Sequence, residues 1–290
     1  MKRILITGSF GFIGHNLKEQ LADNYIIVAP SHTELDLLDE EVVHTFLSSQ
    51  HFDVVIHTAT ENATLNAKRD IHSVLPNNLR MFFNLARSHE LYGKMYYFGS
   101  GAEYDRRYYL PKMPESYFDN HVPVDPYGFS KYVMAKYTLE APNTYDLRLF
   151  GVFGKYEDWE LRFISHACCR VIWDMPITIR QNVYFDYLYI NDLVQIMTWF
   201  IENEPKCKAY NICSGQVYDL RTLAGKVLNT AGKDLAIEIA RPGLGPEYSG
   251  NNLMLLDEIG GYTFADMSSA INELYQWYGG RKDNIDPARL

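Results

Sequence analysis

The chain has only 4 cysteines among 290 residues: Cys168, Cys169, Cys207 and Cys213, with no C-x-x-C pair and no matched histidine spacing. A disulfide scaffold and a zinc site are therefore not expected, and the thiols read as reduced and structural, with no metal. Nor does any run approach the ~18 consecutive apolar residues of a membrane span. The most hydrophobic stretch, Val183 to Ile201, is broken by Asp186, Asn191 and Asp192. Positive charge is scarce, with 27 Lys and Arg against 36 Asp and Glu, a net charge of -9. The basic pairs Arg106-Arg107 and Arg281-Lys282 stand alone, so a nucleic acid would meet no basic stripe. The start, Met1-Lys2-Arg3-Ile4-Leu5-Ile6, breaks at Thr7-Gly8-Ser9 with no small-residue cleavage site. A cytoplasmic location is expected. No repeat or low-complexity segment is present, and 47% hydrophobic with 22% charged residues excludes global disorder.

What the chain does contain is alternation. Short apolar runs (Ile4-Leu5-Ile6, Tyr25 to Ala29, Val54-Val55-Ile56, Met95 to Phe98, Tyr145 to Phe150) alternate with helical stretches. The helices are expected over Phe12 to Asp23, Glu41 to Ser49, Leu79 to Arg87 and Ser130 to Leu139. This predicts an α/β fold with a doubly wound parallel sheet, of Rossmann type. Between Arg106 and Pro126 four prolines and little periodicity predict a long loop. After Gly154 the pattern becomes mixed: helices over 161–173, 193–200, 220–229 and 267–278, strands over 183–188, 210–212 and 236–240, and a Gly/Pro-rich loop from Pro242 to Gly250. Residues 1–154 with about 183–213 are expected to form the dinucleotide-binding domain, and about 155–182 with 214–290 a smaller substrate domain. The polar end from Gly279 to Leu290 is expected to be mobile.

Directly after the first strand stands Thr7-Gly8-Ser9-Phe10-Gly11-Phe12-Ile13-Gly14, a G-x-x-G-x-x-G turn opening a helix. Gly8 permits the tight turn, Gly11 lets backbone N–H groups approach a pyrophosphate, and Gly14 allows close helix-to-strand packing. A strand before and a helix after make this turn a dinucleotide site. At the end of the second strand an acidic residue would accept from a ribose 2′-hydroxyl and repel a 2′-phosphate. The chain reads Val28-Ala29-Pro30-Ser31-His32 there. With no carboxylate in that place, Ser31 and His32 are candidate donors to a 2′-phosphate. NADP(H) is expected, with NAD(H) the alternative.

Tyr127-Gly128-Phe129-Ser130-Lys131 is a Y-x-x-x-K pair whose four-residue spacing puts both side chains on one helical face. A nearby ammonium favours a phenolate, so Tyr127 is predicted to have a lowered pKa and to act as the acid/base. The glycine turn, Tyr127 with Lys131, and the strand end Tyr97-Phe98-Gly99-Ser100-Gly101-Ala102-Glu103-Tyr104 together resemble the extended short-chain dehydrogenase/reductases, the NAD-dependent epimerase/dehydratase family. Further similarity lies in Leu35-Asp36-Leu37, His57-Thr58-Ala59-Thr60, Asn78, Leu147 to Gly154, Tyr189 to Leu193 and Tyr210-Asn211-Ile212. The resemblance implies that Ser100 hydrogen-bonds the reacting oxygen and that Lys131 also holds the nicotinamide ribose. It assigns Asp36 and Leu37 to the adenine, and Thr58, Ala59, Thr60 and Asn78 to the cofactor site.

Two departures concern the substrate. Gly151 stands where diphosphate-sugar members of the family have Asn, and Phe185 stands where they have Arg. Arg241 matches the family's later substrate arginine, and Arg180 is near enough in sequence to replace the missing one. Glu61, Gly101 and Ala102 complete the expected substrate set. The stretch from His32 to Asp39, with Phe52 to Glu61, is similar to the sugar 4-keto reductases of the family, such as the GDP-fucose synthases and dTDP-4-dehydrorhamnose reductases. Reduction of a 4-keto nucleoside-diphosphate 6-deoxy sugar is the expected reaction. Ala102 stands where dual epimerase-reductases carry cysteine, and His166 fits their histidine only after a shift. Glu103 is expected to point to the opposite face if its strand continues. An NAD-dependent epimerase is the alternative, followed by a non-catalytic dinucleotide sensor, against which the intact Ser100, Tyr127 and Lys131 argue. Relatives pair through two helices, here about Leu79 to His89 and Ser130 to Leu139, so a homodimer is expected.

Overall fold

The computed structural model describes residues 1–61 and 71–290. Its first part runs β1 (Arg3–Thr7), α1 (Phe12–Leu21), β2 (Ile26–Val28), α2 (Glu40–Ser48), β3 (Phe52–His57), α3 (Ile71–Ala86), β4 (Tyr92–Ser100), α4 (Pro126–Glu140) and β5 (Thr144–Leu149). There follow β6 (Gly151–Phe153), α5 (Phe163–Ile172), β7 (Ile177–Asn182), β8 (Tyr184–Tyr189), α6 (Ile190–Glu202), β9 (Ala209–Ile212) and β10 (Val217–Asp219). The last elements are α7 (Leu220–Ala231), β11 (Ile237–Leu244), α8 (Leu253–Ile259) and α9 (Met267–Gly279).

A six-stranded parallel sheet in the order β2-β1-β3-β4-β5-β9 forms the centre. Strand alternation sorts its side chains to two helical layers. Ile4 and Ile6 of β1, with Tyr96 and Phe98 of β4, meet Leu17 and Leu21 of α1 and Met197 and Phe200 of α6. Leu5, Val55, Met95 and Tyr97 point the other way, toward α2, α3 and α4 through Val43, Phe82, Leu85 and Met134. Each such aliphatic or aromatic burial contributes roughly 1.5–3 kcal/mol. The sheet is thus doubly wound, and the order reverses at β1, flanked by β2 and β3. In open α/β sheets that reversal opens a crevice at the strands' carboxyl ends.

A smaller mixed part sits at the same end. β8 pairs with β6 and β10, β7 pairs with β11, and α5, α7 and α9 pack together. Its apolar residues, among them Ile164, Cys168 and Leu274, are continuous with the core beneath α1 and α6. No linker separates the parts. No helix among the described residues is long and apolar enough to cross a membrane.

Several elements differ from their expected limits. α4 starts at Pro126, because Asp125 caps it by accepting from the Gly128 N–H at 2.8 Å and Pro126 occupies the first turn. α3 continues through Pro76, and β6, β7, β10 and α8 have no counterpart in the sequence reading. The carboxyl-terminal segment is not a loose tail: Ile285 is 3% exposed within the core, and Arg289 forms an ion pair with Glu160.

Candidate active site

A cleft of about 1200 Å³ opens at the sheet reversal, and its floor is the turn from Gly8 to Gly14. Gly8 has φ of +70°, and a Cβ there would lie 2.6 Å from the Ala59 backbone nitrogen. A Cβ on Gly14 would collide with the Gly8 carbonyl and lie 2.7 Å from Thr58 Oγ1. The segments after β1 and β3 therefore pack too closely for a side chain at either glycine, and Thr58 Oγ1 donates to the Thr7 carbonyl at 2.6 Å. α1 begins with Gly11 as its cap and no side-chain hydrogen bond on its first N–H groups. A backbone cradle that a Cβ would fill, beneath an uncapped helix start, fits a dinucleotide pyrophosphate. Ser9, Phe10, Gly11, Phe12 and Ile13 all line it.

At the end of β2, His32 lines the cleft, as do Asp36 and Leu37. Ser31 does not. Its hydroxyl and its N–H both bond Glu34 Oε2 at 2.7 Å, which brings a carboxylate to the strand end from three residues downstream. These bonds from Ser31 hold the Glu34 carboxyl below its usual range. Thr58, Ala59, Thr60 and Glu61 form the wall after β3. Asn78 stands behind this wall: its Oδ1 accepts from the Glu61 N–H at 2.7 Å and its Nδ2 donates to the Glu61 carbonyl at 2.9 Å. The Glu61 carboxylate is occupied by Ser73 Oγ and Asn77 Nδ2.

Ser100, Tyr127 and Lys131 line the same cleft. Ser100 ends β4, where the Ala102 N–H donates to its Oγ at 3.1 Å. Tyr127 and Lys131 come from the first turns of α4, and the two tyrosine-lysine faces meet as the spacing predicts. Lys131 Nζ donates to the Phe98 carbonyl at 2.8 Å and lies 5.7 Å from the Tyr127 ring centre. Burial pushes this ammonium down to about 8, opposed by Glu103 and Asp146. Burial likewise pushes the Tyr127 phenol up to about 12, helped by Tyr248 and opposed by a Ser100 hydrogen bond and by Arg162 and Arg106. The predicted lowering is thus corrected: removal from water outweighs neighbouring charge. Tyr127 carries its proton at neutral pH, ready to act as an acid.

Glu103 departs from its expected direction because β4 stops at Ser100 and a tight turn follows. Its Oε1 accepts from the Ser100 N–H at 2.9 Å, and Arg148 Nε lies 2.8 Å from its Oε2 and 2.7 Å from Asp146 Oδ2. All three side chains are buried. Burial, with the negative charge of Asp146, raises the Glu103 carboxyl well above the usual range. This buried cluster holds the turn beneath the serine.

The substrate side of the cleft differs most from expectation. Arg180 and Arg241 are exposed on β7 and β11 and do not line it; the small sheet turns these positions away. Gly101 and Ala102 are buried under the wall, Gly101 beneath Tyr248 and Phe150. His166 also lies outside the wall, its Nδ1 3.1 Å from the Trp159 carbonyl. In their place stand Arg106 and Tyr109 from the segment after β4, Glu157 and Arg162 before α5, and Tyr248 before α8. Asp105, at φ of 61°, turns the chain sharply and caps the turn that projects Arg106. Burial pushes the Glu157 carboxyl up to about 8, although Ser165 donates to it at 2.5 Å and Arg162 is near. Sequence reasoning had no periodic signal for these residues; the prolines between Arg106 and Pro126 and the Gly/Pro-rich run from Pro242 to Gly250 marked two of the segments as loops without saying which side chains they carry into the cleft.

Comparison with known proteins bears on this arrangement. The chain is 24% identical to the ADP-L-glycero-D-manno-heptose-6-epimerase of Brachyspira hyodysenteriae, over 81% of this chain and 83% of the relative. It is 22% identical to the GDP-L-colitose synthase of Yersinia pseudotuberculosis, over 97% and 99%. Its fold is similar to that of a GDP-mannoheptose C4 reductase from Campylobacter jejuni with NADP bound, at a TM-score of 0.83, 18% identity, and coverage of 96% and 98%. The profile of the NAD dependent epimerase/dehydratase family matches residues 4–213, from β1 to just past β9. Since that match takes in the glycine cradle, the serine and the tyrosine-lysine pair, this protein belongs to the NAD dependent epimerase/dehydratase family, enzymes of the extended short-chain dehydrogenase/reductase type.

Proposed function

We propose that this protein reduces the 4-keto group of a nucleoside-diphosphate 6-deoxy sugar. The observation that carries the reading is Tyr127, held protonated by burial in one cleft with Ser100, Lys131 and the glycine cradle. Reduction needs an acid at the carbonyl oxygen, and a phenol pushed up to about 12 supplies its proton only as negative charge develops there. Ser100 polarises the same oxygen. The bound cofactor supplies hydride. The turn from Gly8 to Gly14 would hold its pyrophosphate, with Asp36, Leu37, Thr58, Ala59 and Thr60 along it, Asn78 bracing that wall, and Lys131 on the ribose.

NADP(H) is the cofactor on this reading. It is supported by NADP in the similar Campylobacter structure and by His32 at the cleft margin. Glu34 is the group that opposes a 2′-phosphate, and its carboxylate is engaged by Ser31. Arg106 and Arg162 are the cations on the substrate side, and they take the diphosphate in place of Arg180 and Arg241. Residues 1–154 with about 183–213 serve the cofactor and the remainder the substrate. The protein acts in the cytoplasm as a homodimer through α3 and α4, which light scattering tests directly.

An assay of NADPH and NADH oxidation against a panel of nucleotide-linked 4-keto-6-deoxy sugars tests the reading. NADPH is preferred, and Tyr127→Phe lowers kcat by about 100-fold or more. No ketone reduced, together with copurifying NAD, turns the assignment to an epimerase.

A further inference from the structure

Behind the substrate wall runs a line of buried polar side chains that the reduction itself does not use. It starts at Ser100, whose N–H donates to Glu103 Oε1 at 2.9 Å. Glu103 Oε2 lies 2.8 Å from Arg148 Nε, Arg148 Nη1 donates to the Tyr104 hydroxyl at 3.0 Å, and that hydroxyl donates to Asn211 Oδ1 at 2.6 Å. Asn211, on β9, then reaches both loops that supply the wall: its Nδ2 donates to the Met113 carbonyl at 2.8 Å and to the Asn251 carbonyl at 3.2 Å. Its own N–H donates to Glu115 Oε1 at 2.9 Å. Tyr104 and Arg148 are each 1% exposed, and Glu103 and Asn211 are fully buried.

The donor directions are fixed by chemistry. A guanidinium only donates, so the Tyr104 oxygen accepts from Arg148 and its single proton goes to Asn211. That turns the Asn211 amide oxygen toward Tyr104 and its NH2 toward the two loop carbonyls. Without the Tyr104 proton, the amide oxygen is a buried acceptor with no donor. The two loops are also joined to each other: the Met113 N–H donates to the Ser249 carbonyl at 3.0 Å, the Asn251 N–H to the Met113 carbonyl at 2.9 Å, and the Lys112 N–H to Ser249 Oγ at 2.7 Å. They differ in what else holds them. The loop of Tyr248 is paired with β8, where the Tyr248 N–H donates to the Tyr184 carbonyl at 2.9 Å and its carbonyl accepts from the Asp186 N–H at 3.0 Å. The segment of Arg106 is held near the serine by the Tyr109 hydroxyl, which donates to the Gly101 carbonyl at 2.5 Å, and further on by Phe118, whose ring centre lies 4.3 Å from the Arg148 guanidinium carbon. Arg148 and Asn211 therefore hold this segment from the side of the sheet.

We propose that Tyr104 is a positioning residue for the sugar: acting through Asn211, it fixes where the loops of Arg106 and Tyr248 stand relative to Ser100. This rests on the reductase reading. The same line of bonds that ends beneath the serine ends on the wall that binds the substrate, so the wall and the reacting serine share one frame. A fully satisfied buried network of this kind holds its members in a single arrangement. The glycine cradle belongs to other strands and is not part of it.

Two readouts on Tyr104→Phe test this; the variant loses one hydroxyl and keeps the ring against Phe118 and Phe150. The first is backbone hydrogen exchange on the unliganded protein. The N–H groups of Met113 and Asn251 exchange about tenfold faster in the variant, while those of β1 and β3 are unchanged. The second is NADPH-dependent turnover of the 4-keto sugars. KM for the sugar rises about tenfold, while kcat and NADPH affinity stay within about threefold, because Ser100, Tyr127 and Lys131 keep their own contacts. A wild-type KM, whatever the thermal midpoint, makes Tyr104 a contact that only stabilises the fold and overturns the proposal, as does a fall in kcat at unchanged KM. Ser249→Ala opens the same pair of loops from the far side, by removing the partner of the Lys112 N–H, and leaves Tyr104 in place. It gives the same rise in KM, and a wild-type KM there overturns the proposal even where Tyr104→Phe does not fold. A wild type that reduces no ketone sinks the reductase reading, and the exchange rates then decide whether Tyr104 holds the loops.

Discussion

The two sides of the cleft are built by different means. The cofactor side is made mostly of backbone: Gly8 against Ala59, Gly14 against Gly8, and a helix start left free of side-chain caps. The substrate side is made of side chains from three separated segments, with Arg106, Glu157, Arg162 and Tyr248 lining it. Backbone-built sites depend on a few contiguous residues in a fixed local conformation. Side-chain-built sites depend on where loops are carried by the rest of the fold, which leaves their chemistry free to vary over one scaffold.

The largest contrast to exploit is the buried carboxyl that only the substrate side carries. Glu157 is pushed up to about 8 from an ordinary carboxyl value, so the folded protein binds more protons than the unfolded chain between those limits. Stability therefore falls as pH rises from about 5 toward 8, by up to a few kcal/mol. Glu157→Gln cannot ionise, keeps an acceptor for Ser165, and removes that slope. Urea unfolding at pH 5 and pH 8 checks the difference, and parallel slopes in the two proteins would show that Glu157 ionises freely.

Next comes the backbone cradle. Gly14→Ala places a methyl against the Gly8 carbonyl and 2.7 Å from Thr58 Oγ1. NADPH affinity is expected to fall by about 100-fold, near 2.7 kcal/mol, with little change in KM for the sugar at saturating cofactor. Fluorescence titration reads this directly. Affinity within threefold of wild type would break the distinction between a backbone-built and a side-chain-built half.

The smallest expected effect separates the arginines. Arg106→Ala and Arg162→Ala each raise KM for the nucleotide sugar by about tenfold, close to 1.4 kcal/mol, without weakening NADPH binding. Arg180→Ala and Arg241→Ala change neither, since both side chains are exposed on the β7-β11 pair and away from the cleft wall. A rise confined to the latter pair would move the diphosphate to the small sheet.

The buried cluster under Ser100 shows why some groups were misread. Along the chain, Glu103 alternates away from Ser100 as if on the far face of a strand. In space the strand ends, and the carboxyl folds back to cap the serine while Arg148 neutralises the Glu103–Asp146 pair. A strand end is a local event, but the cation that makes it affordable for a carboxyl to be buried there lies 45 residues on in sequence and adjacent only across the β4-β5 pairing. The same holds for Ser31, whose hydroxyl was read as free and is held by Glu34.

By itself the sequence determined the parallel doubly wound sheet, the glycine turn at its reversal, and the pairing of Tyr127 with Lys131. These follow from local rules: apolar alternation, the conformational freedom of glycine, and the helical spacing of four. Only the tertiary structure decided that Tyr127 is a raised and protonated phenol, that Arg106 and Arg162 rather than Arg180 and Arg241 face the cleft, and that Tyr248 enters it. Burial and charge are properties of what surrounds a residue in space, and no spacing along the chain encodes which distant loop will supply those surroundings.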